Sequence, residues 1–167
     1  MGLSQASAAM YTSPTPLALE QFPIIGFHKP YSDSDLITDS AAGATAFACG
    51  VKTYNGAIGL NADTVAVPSI MEEAKARGMA TGLVATSTIV HATPASFVAH
   101  QRMRIFYEQI AEDMAKSNVD LIIGGGKRYF DRRKSDDRDL LAELQSRGYL
   151  VADYFNGRLH DVTPDPR

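Results

Sequence analysis

The sequence has few of the residues that mark several classes of protein. Its 167 residues include one cysteine, Cys49, and no tryptophan. A single cysteine excludes both an intrachain disulfide and a cysteine-based metal cage, so the redox compartment cannot be inferred. Small residues surround Cys49, and we expect it to be a small buried thiol. A hydrophobic content of 45% in a chain of this length is typical of one ordinary domain with its own core.

The chain also lacks an excess of positive charge and any long apolar run. Its 16 basic and 19 acidic residues nearly balance, so we expect no nucleic-acid partner. No hydrophobic run is long enough to cross a bilayer, and we expect no membrane span. The first ten residues have neither a basic start nor a continuous apolar stretch. They are therefore not expected to be a signal peptide.

Short apolar segments alternate with helical patterns along the chain. Strands are predicted over residues 22–28, 81–87, 119–123 and 149–151. Helices are predicted over residues 3–11, 40–48, 68–77, from Pro94 onward, 104–117 and 138–147. Such alternation indicates an α/β fold whose mostly parallel sheet has helices on both faces. Ligands bind beyond the carboxyl ends of such strands, so the loops at 38–40 and 88–94 should open on one edge.

One carboxylate and one hydroxyl precede a run of very small residues. Asp39 and Ser40 stand at the head of the segment Ala-Ala-Gly-Ala-Thr-Ala. A helix beginning there would direct free N–H groups and a positive dipole end at an anion. Ser40 could then be a nucleophile beside a phosphate. The alternative is that Asp39 and Ser40 are only an N-cap of an alanine-rich core helix, and these residues alone leave both open.

A second group of polar residues follows the predicted strand at 81–87. His91 and Thr93 flank one residue, so in an extended loop their side chains point the same way and could line a metal or phosphate site. The alternative is that Thr93 caps a helix opened by Pro94 while His91 is a polar loop residue. Arg102 and Arg104 lie further along, and either could clamp a phosphate or be a surface charge.

Several segments, in order and spacing, resemble the alkaline phosphatases. They are Thr-Asp-Ser-Ala-Ala-Gly-Ala-Thr at 38–45, Gly-Val-Lys-Thr-Tyr-Asn-Gly-Ala-Ile-Gly at 50–59, His-Ala-Thr-Pro-Ala at 91–95, Ala-His at 99–100, Arg104, and Ile-Gly-Gly-Gly at 123–126. The match covers nearly the whole chain and thins after about Asp131. It implies a three-layer α/β sandwich with a mostly parallel central sheet. Residues 1–167 would be the N-terminal portion of a single catalytic domain.

The resemblance implies a role for each site residue. Ser40 would attack phosphorus, become a phosphoserine and also be a zinc ligand. Arg104, rather than Arg102, would bind the phosphate, and Asp39 would orient its guanidinium. The substrates would be phosphate monoesters, cleaved with the help of two zinc ions in the complete enzyme.

A third metal, magnesium or a third zinc, is implied near Thr93 and His91. Magnesium prefers oxygen ligands, so His91 favours zinc or a looser site there. Most zinc ligands of the family would lie outside this chain, and the sequence is expected to be an N-terminal fragment that is inactive alone. His28 and His100 are expected to be structural or surface residues, and His160 lies in a tail without a matching motif.

The resemblance further implies a parent enzyme that is a homodimer in the periplasm or outside the cell. Two alternatives stay open. One is a sulfatase or phosphodiesterase relative, and the other is a non-catalytic fold fragment or assembly module. A nucleotide-binding loop at residues 124–127 (Gly-Gly-Gly-Lys) is disfavoured, because it lacks the full Walker spacing and Arg128 stands where a Ser or Thr should bind magnesium.

Overall fold

The computed structural model describes residues 3–157 and 162–163 of the chain. Helices and strands alternate, as the sequence pattern predicts, and a short 3₁₀ helix at Ala18–Gln21 precedes the main body. The elements in chain order are α1 (Leu3–Thr12), α2 (Ser40–Cys49), α3 (Ile70–Ala76), β1 (Gly82–Thr88), α4 (Ala92–Ala95), α5 (Tyr107–Lys116), β2 (Leu121–Gly125), α6 (Arg128–Asp131) and α7 (Leu140–Ser146).

Strands β1 and β2 pair in parallel and form the sheet of the described residues. Gly82 pairs with Leu121 and Val84 with Ile123, and an irregularity follows before Thr88 meets Gly125. The connection between the strands contains α4 and α5, as parallel pairing requires. The predicted α/β class with a parallel sheet is therefore confirmed.

The core lies where one face of β1 meets the helices. Leu83 on β1 is buried, whereas its neighbour Val84 points the other way and is 69% exposed. The alanine-rich α2 buries five residues and packs closely on α4, because small side chains let two backbones approach. The amphipathic α5 adds the fully buried Ile110 and Met114. Every helix in the described ranges is too short to cross a bilayer.

Two predicted strands are wrong. Residues 22–28 and 149–151 are irregular, and no strand of the described ranges offers them a ladder partner. Pro23 removes one backbone donor from the first segment. Several of its apolar side chains stand in solvent: Phe22, Ile24, Ile25 and Phe27. Local β propensity without a neighbouring strand does not make a strand.

Other boundaries shift in ways that affect the site. The helix expected from Pro94 begins earlier, at Ala92, and has four residues. The helix expected over residues 104–117 begins at Tyr107, which leaves Arg104 in a turn. Helix α2 ends as predicted, with Gly50 in the left-handed conformation (φ 71°) and its N–H bonded to the Ala46 carbonyl.

Cys49, the last residue of α2, is half-buried. Its thiol contacts the Val67 carbonyl at 3.4 Å. Burial, with a smaller contribution from Glu72, raises the pKa of the Cys49 thiol to about 11. The thiol is therefore protonated near neutral pH. The side chain is less buried than the sequence predicts.

Candidate active site

Asp39 and Ser40 occupy the first positions of α2. Asp39 is the N-cap residue, with an extended backbone, and its Oδ1 accepts a hydrogen bond from the Ala42 N–H at 2.9 Å. Ser40 is the first helical residue and its side chain is exposed. Asp39 therefore caps the helix, while Ser40, the next residue, presents its hydroxyl to solvent. The N–H groups of the first helical turn face the same end of the helix as this hydroxyl.

Arg104 joins this helix start to the loop after β1. Its Nη1 donates to Asp39 Oδ2 at 3.0 Å and to Ser40 Oγ at 2.7 Å. Its Nη2 lies 3.1 Å from His91 Nε2. A guanidinium only donates, so His91 Nε2 is the acceptor in this contact. One arginine thus organises a carboxylate, a hydroxyl and an imidazole.

The Asp39 carboxylate is held in its ionised form. Burial is the largest single influence and would raise its pKa. Hydrogen bonds from the Ala42 N–H and the Arg104 guanidinium, together with the nearby Gly56 N–H and the positive charge of Arg104, act the other way and lower the pKa of Asp39 below its usual value. Asp39 and Arg104 are each about one quarter exposed, at 26% and 25%. They form a charge pair that is only partly screened by solvent.

Backbone contacts place Arg104 at the site, and they distinguish it from Arg102. The Arg104 N–H donates to the Gly56 carbonyl at 2.8 Å, and Ile58 pairs with Gln101 in an antiparallel bridge. Arg102 is exposed, and its carbonyl accepts a hydrogen bond from the Tyr54 hydroxyl.

In the loop after β1, Thr93 does not cap a helix, which is one of the two alternatives that the sequence leaves open for this residue. His91, not Thr93, is the N-cap residue of α4, and it makes no side-chain cap bond. Thr93 lies inside α4 with an exposed side chain, and its hydroxyl makes no hydrogen bond within residues 3–157 and 162–163. The expectation that Thr93 is only a cap is therefore wrong. The structure brings His91 into direct contact with Arg104 but records no contact from Thr93 to that group.

Sequence reasoning gave no role to Asn55 and Gly56, although both lie in the 50–59 segment that resembles the alkaline phosphatases. Asn55 Oδ1 accepts from the Asp39 N–H at 3.0 Å, and its Nδ2 donates to the Ile37 carbonyl at 3.0 Å. The Asn-Gly pair is a strong turn signal, but it does not reveal which residues the turn contacts.

The described residues do not complete a metal site by themselves. They contain no group of three or more His, Cys, Asp or Glu side chains that could hold an ion. Both Asp39 oxygens and His91 Nε2 already have partners. The exposed hydroxyl oxygens of Ser40 and Thr93 are the donor type that a hard cation prefers, so they fit in kind but not in number.

The other histidines match the structural roles expected for them. His28 lies edge-on to Phe47, with ring centroids 5.9 Å apart. His100 lies between the Gly59 carbonyl, 2.7 Å from Nδ1, and Glu72, 3.0 Å from Nε2. His160, which the sequence places in an unmatched tail, falls outside the described residues.

These features define an α/β protein whose helix start presents a serine beside a half-buried Asp–Arg pair. A family model described as alkaline phosphatase matches residues 2–158 of the chain. The chain belongs to the alkaline phosphatase family, as the ordered motifs predict.

Curated relatives and solved structures agree with this membership. Alkaline phosphatase 3 of Bacillus subtilis is 41% identical over an alignment of 168 positions, which covers 92% of this chain and 36% of that protein. Alkaline phosphatase 4 of the same organism is 50% identical over an alignment of 119 positions, which covers 68% of this chain and 25% of that protein. The chain thus spans about a quarter to a third of the length of these relatives.

Among solved structures, alkaline phosphatase from the Antarctic bacterium TAB5 matches with a TM-score of 0.83 and 46% identity, over 93% of this chain and 46% of that one. A His-to-Glu variant of the TAB5 enzyme, with Mg bound in the M3 site, matches at 0.84 and 45% over the same shares.

Proposed function

We propose that the protein hydrolyses phosphate monoesters, with Ser40 as the nucleophile and a phosphoserine intermediate. The observation that carries the proposal is Arg104, which contacts Ser40 Oγ at 2.7 Å while Asp39 holds the same Nη1. A phosphate group held by this guanidinium would lie directly beside the serine oxygen. Membership of the alkaline phosphatase family supports a reaction of this class.

Substrate binding uses fixed donors at the start of α2. The guanidinium of Arg104 carries a permanent positive charge and N–H donors that suit phosphate oxygens. The first N–H groups of α2 and the positive end of its dipole favour the same anion. Asp39 holds the guanidinium in one orientation, so little freedom is lost when the phosphate binds.

The reaction consists of two displacements at phosphorus. In the first, the Ser40 Oγ–P bond forms, the ester O–P bond breaks, and the alcohol leaves with a proton. In the second, a water oxygen attacks phosphorus, the Oγ–P bond breaks, and Ser40 regains its proton as inorganic phosphate leaves. In both steps Arg104 offsets the negative charge on the phosphoryl oxygens.

We further propose two zinc ions and one magnesium, or a third zinc, in the complete enzyme. Ser40, Thr93 and His91 would contribute ligands from this chain, with the remaining ligands elsewhere in the protein. The cations would supply positive charge that stabilises the serine oxyanion and the departing oxygen.

The kind of metal near His91 is a separate proposal. The TAB5 variants with Mg in the M3 site carry Glu or Asp in place of a histidine. If His91 stands at the equivalent place, its nitrogen disfavours magnesium. Metal analysis of the whole protein with and without His91→Asp checks this, and unchanged magnesium affinity would contradict it.

The wider organisation is also proposed by family likeness. Residues 1–167 would be the N-terminal portion of a single catalytic domain, and the whole protein would be a homodimer that works in the periplasm or outside the cell. Gel filtration with light scattering, and fractionation of the source cells, test these two statements.

The decisive experiment compares Ser40→Ala with Ser13→Ala in the whole protein supplied with zinc and magnesium. Ser13 is a matched control because, within the part of the chain that the structure describes, its hydroxyl bonds only to the Thr15 backbone. We expect turnover of an aryl phosphate to be lost in the first variant and unchanged in the second. Mass spectrometry of acid-quenched protein should place a phosphoryl group on Ser40.

The alternatives appear as distinct outcomes of that experiment. Preference for a diester or a sulfate ester over the monoester would indicate a phosphodiesterase or sulfatase. A cooperatively folded protein that binds neither zinc nor phosphate would indicate a non-catalytic module. Turnover that survives Ser40→Ala would remove Ser40 as the nucleophile.

A further inference from the structure

The start of α2 lacks half of the usual local cap. In α3, Ser69 and Glu72 cap each other: the Ser69 hydroxyl accepts from the Glu72 N–H, and the Glu72 carboxylate accepts from the Ser69 N–H. In α2, Asp39 accepts from the N–H of the third helical residue, but that residue is Ala42 and has no acceptor to return. The Asp39 N–H must find its acceptor elsewhere.

Asn55, sixteen residues further along, supplies it. Its Oδ1 accepts from the Asp39 N–H at 3.0 Å, and its Nδ2 donates to the Ile37 carbonyl at 3.0 Å. Its own N–H donates to Ser34 Oγ at 3.0 Å. Both ends of the amide are therefore engaged with the segment that leads into α2. Asn55 does from a distant loop what a glutamate does locally in α3.

The next residue connects the same turn to Arg104. Gly56 is buried, with φ +95°, and its carbonyl accepts from the Arg104 N–H at 2.8 Å. One two-residue turn thus holds the backbone of Asp39 on one side and the backbone of Arg104 on the other.

We propose that Asn55 is a positioning residue for phosphate binding at this site. By holding the Asp39 backbone, it keeps the carboxylate where it meets Arg104 and keeps Ser40 at the start of the helix. The inference rests on the proposed function, because it assumes that Arg104 and Ser40 receive a phosphate. Asn55 itself would not touch the substrate.

The test measures inorganic phosphate as a competitive inhibitor of the whole protein, together with KM, kcat and the melting temperature. Asn55→Ala removes one neutral hydrogen bond to Asp39, so we expect the inhibition constant of phosphate to rise about fivefold. The matched control is Asn61→Ala. Asn61 lies in the following loop and its Oδ1 accepts one backbone N–H, that of Val65 at 2.9 Å. We expect no change in phosphate inhibition from the control.

A double-mutant cycle with Asp39→Asn shows whether Asn55 acts through Asp39. If it does, the double variant will bind phosphate no more weakly than the weaker single variant. If the two single variants weaken phosphate binding by factors that multiply in the double variant, the proposal is overturned. It is also overturned if Asn55→Ala lowers the melting temperature but leaves phosphate inhibition unchanged.

The proposal and the function on which it rests fail in different ways. If turnover depends on Ser40 and Asn55→Ala leaves phosphate inhibition unchanged, the function stands and the positioning role is wrong. If the unaltered protein neither turns over a monoester nor binds phosphate by calorimetry, both are overturned.

Discussion

The Asp39→Asn variant tests whether the Asp–Arg pair controls phosphate binding. The carboxylate accepts from two donors, the Ala42 N–H at Oδ1 and the Arg104 guanidinium at Oδ2. An asparagine has nearly the same shape but only one acceptor oxygen. If that oxygen still accepts from the Ala42 N–H, the amide NH₂ faces the Arg104 guanidinium, and two hydrogen-bond donors then point at each other. If the amide flips, the same conflict arises at the Ala42 N–H.

The magnitude follows from what the guanidinium loses. A hydrogen bond to a charged group contributes about 1.5–3 kcal/mol, and the lower end applies here because both side chains are about one quarter exposed. Since 1.36 kcal/mol is a factor of ten, we expect phosphate affinity to fall about tenfold. The melting temperature should fall only by a few degrees, because the side chain can still cap the helix.

Inhibition by inorganic phosphate, measured in the whole protein with zinc and magnesium present, is the assay. Asp139→Asn is the matched control, because Asp139 is also an N-cap aspartate. It accepts from the Leu141 and Ala142 N–H groups at the start of α7, and its carboxylate has no arginine partner within the described residues. If Asp39→Asn leaves the inhibition constant unchanged, or if the control weakens phosphate equally, the reasoning from the Asp–Arg pair is wrong.

Three further predictions concern stability. Gly59→Ala should lower the free energy of unfolding by about 2–4 kcal/mol, measured by urea titration. A Cβ on Gly59 (φ +61°) would lie 2.2 Å from the Ala99 carbonyl oxygen and 2.7 Å from His100 Nδ1. Ile110→Ala, at a fully buried position, should cost about 2–5 kcal/mol in the same titration. Burial is the largest single influence on the pKa of His100 and would lower it. Hydrogen bonds with Glu72 and the Gly59 carbonyl outweigh burial and raise the pKa above 6.5. Because the pKa of His100 is higher in the folded protein than in the unfolded chain, the protonated side chain stabilises the fold. This stabilisation is complete below pH 6.5 and is lost as the pH rises through the folded pKa, so the melting temperature should fall over that pH range.

Each of these predictions has a control or a contradicting result. Gly78→Ala places a Cβ at a similar φ, +74°, with nothing within 4 Å. An equal loss at both glycines would show that steric overlap is not the cause. Ile110→Val should cost only about 0.5–1.5 kcal/mol, and a loss as large as that of alanine would contradict the cavity argument. His100→Gln should flatten the dependence of melting temperature on pH, and an unchanged curve would remove His100 as its source.

Much of the local structure was predictable because its causes lie within a few residues of one another. The alternation of apolar segments predicted β1 and β2 and their parallel pairing. Asp39 and Gly50 predicted the two ends of α2, since a cap depends on the first or last turn alone. The ordered motifs predicted the family, because residue types at fixed spacings can be compared along the chain.

Residues 22–28 show where local signals fail. The segment has the composition of a strand, yet a strand requires a neighbour to pair with, and no strand in the described ranges provides one. Strand propensity describes what a segment tolerates. Pairing depends on what the rest of the fold brings beside it.

The sequence by itself determined the fold class, the family and the helix start at Asp39 and Ser40. The tertiary structure decided how Arg104 reaches that serine and what holds the pair. Arg102 and Arg104 are the same residue type two positions apart; the motif resemblance favoured Arg104, and packing of the turn at Gly56 is what holds its backbone at the site. The contact from Arg104 to Ser40 spans 64 residues, and that from Asn55 to Asp39 spans 16. Such contacts depend on how the folded backbone brings distant segments together, which caps and periodicity do not specify.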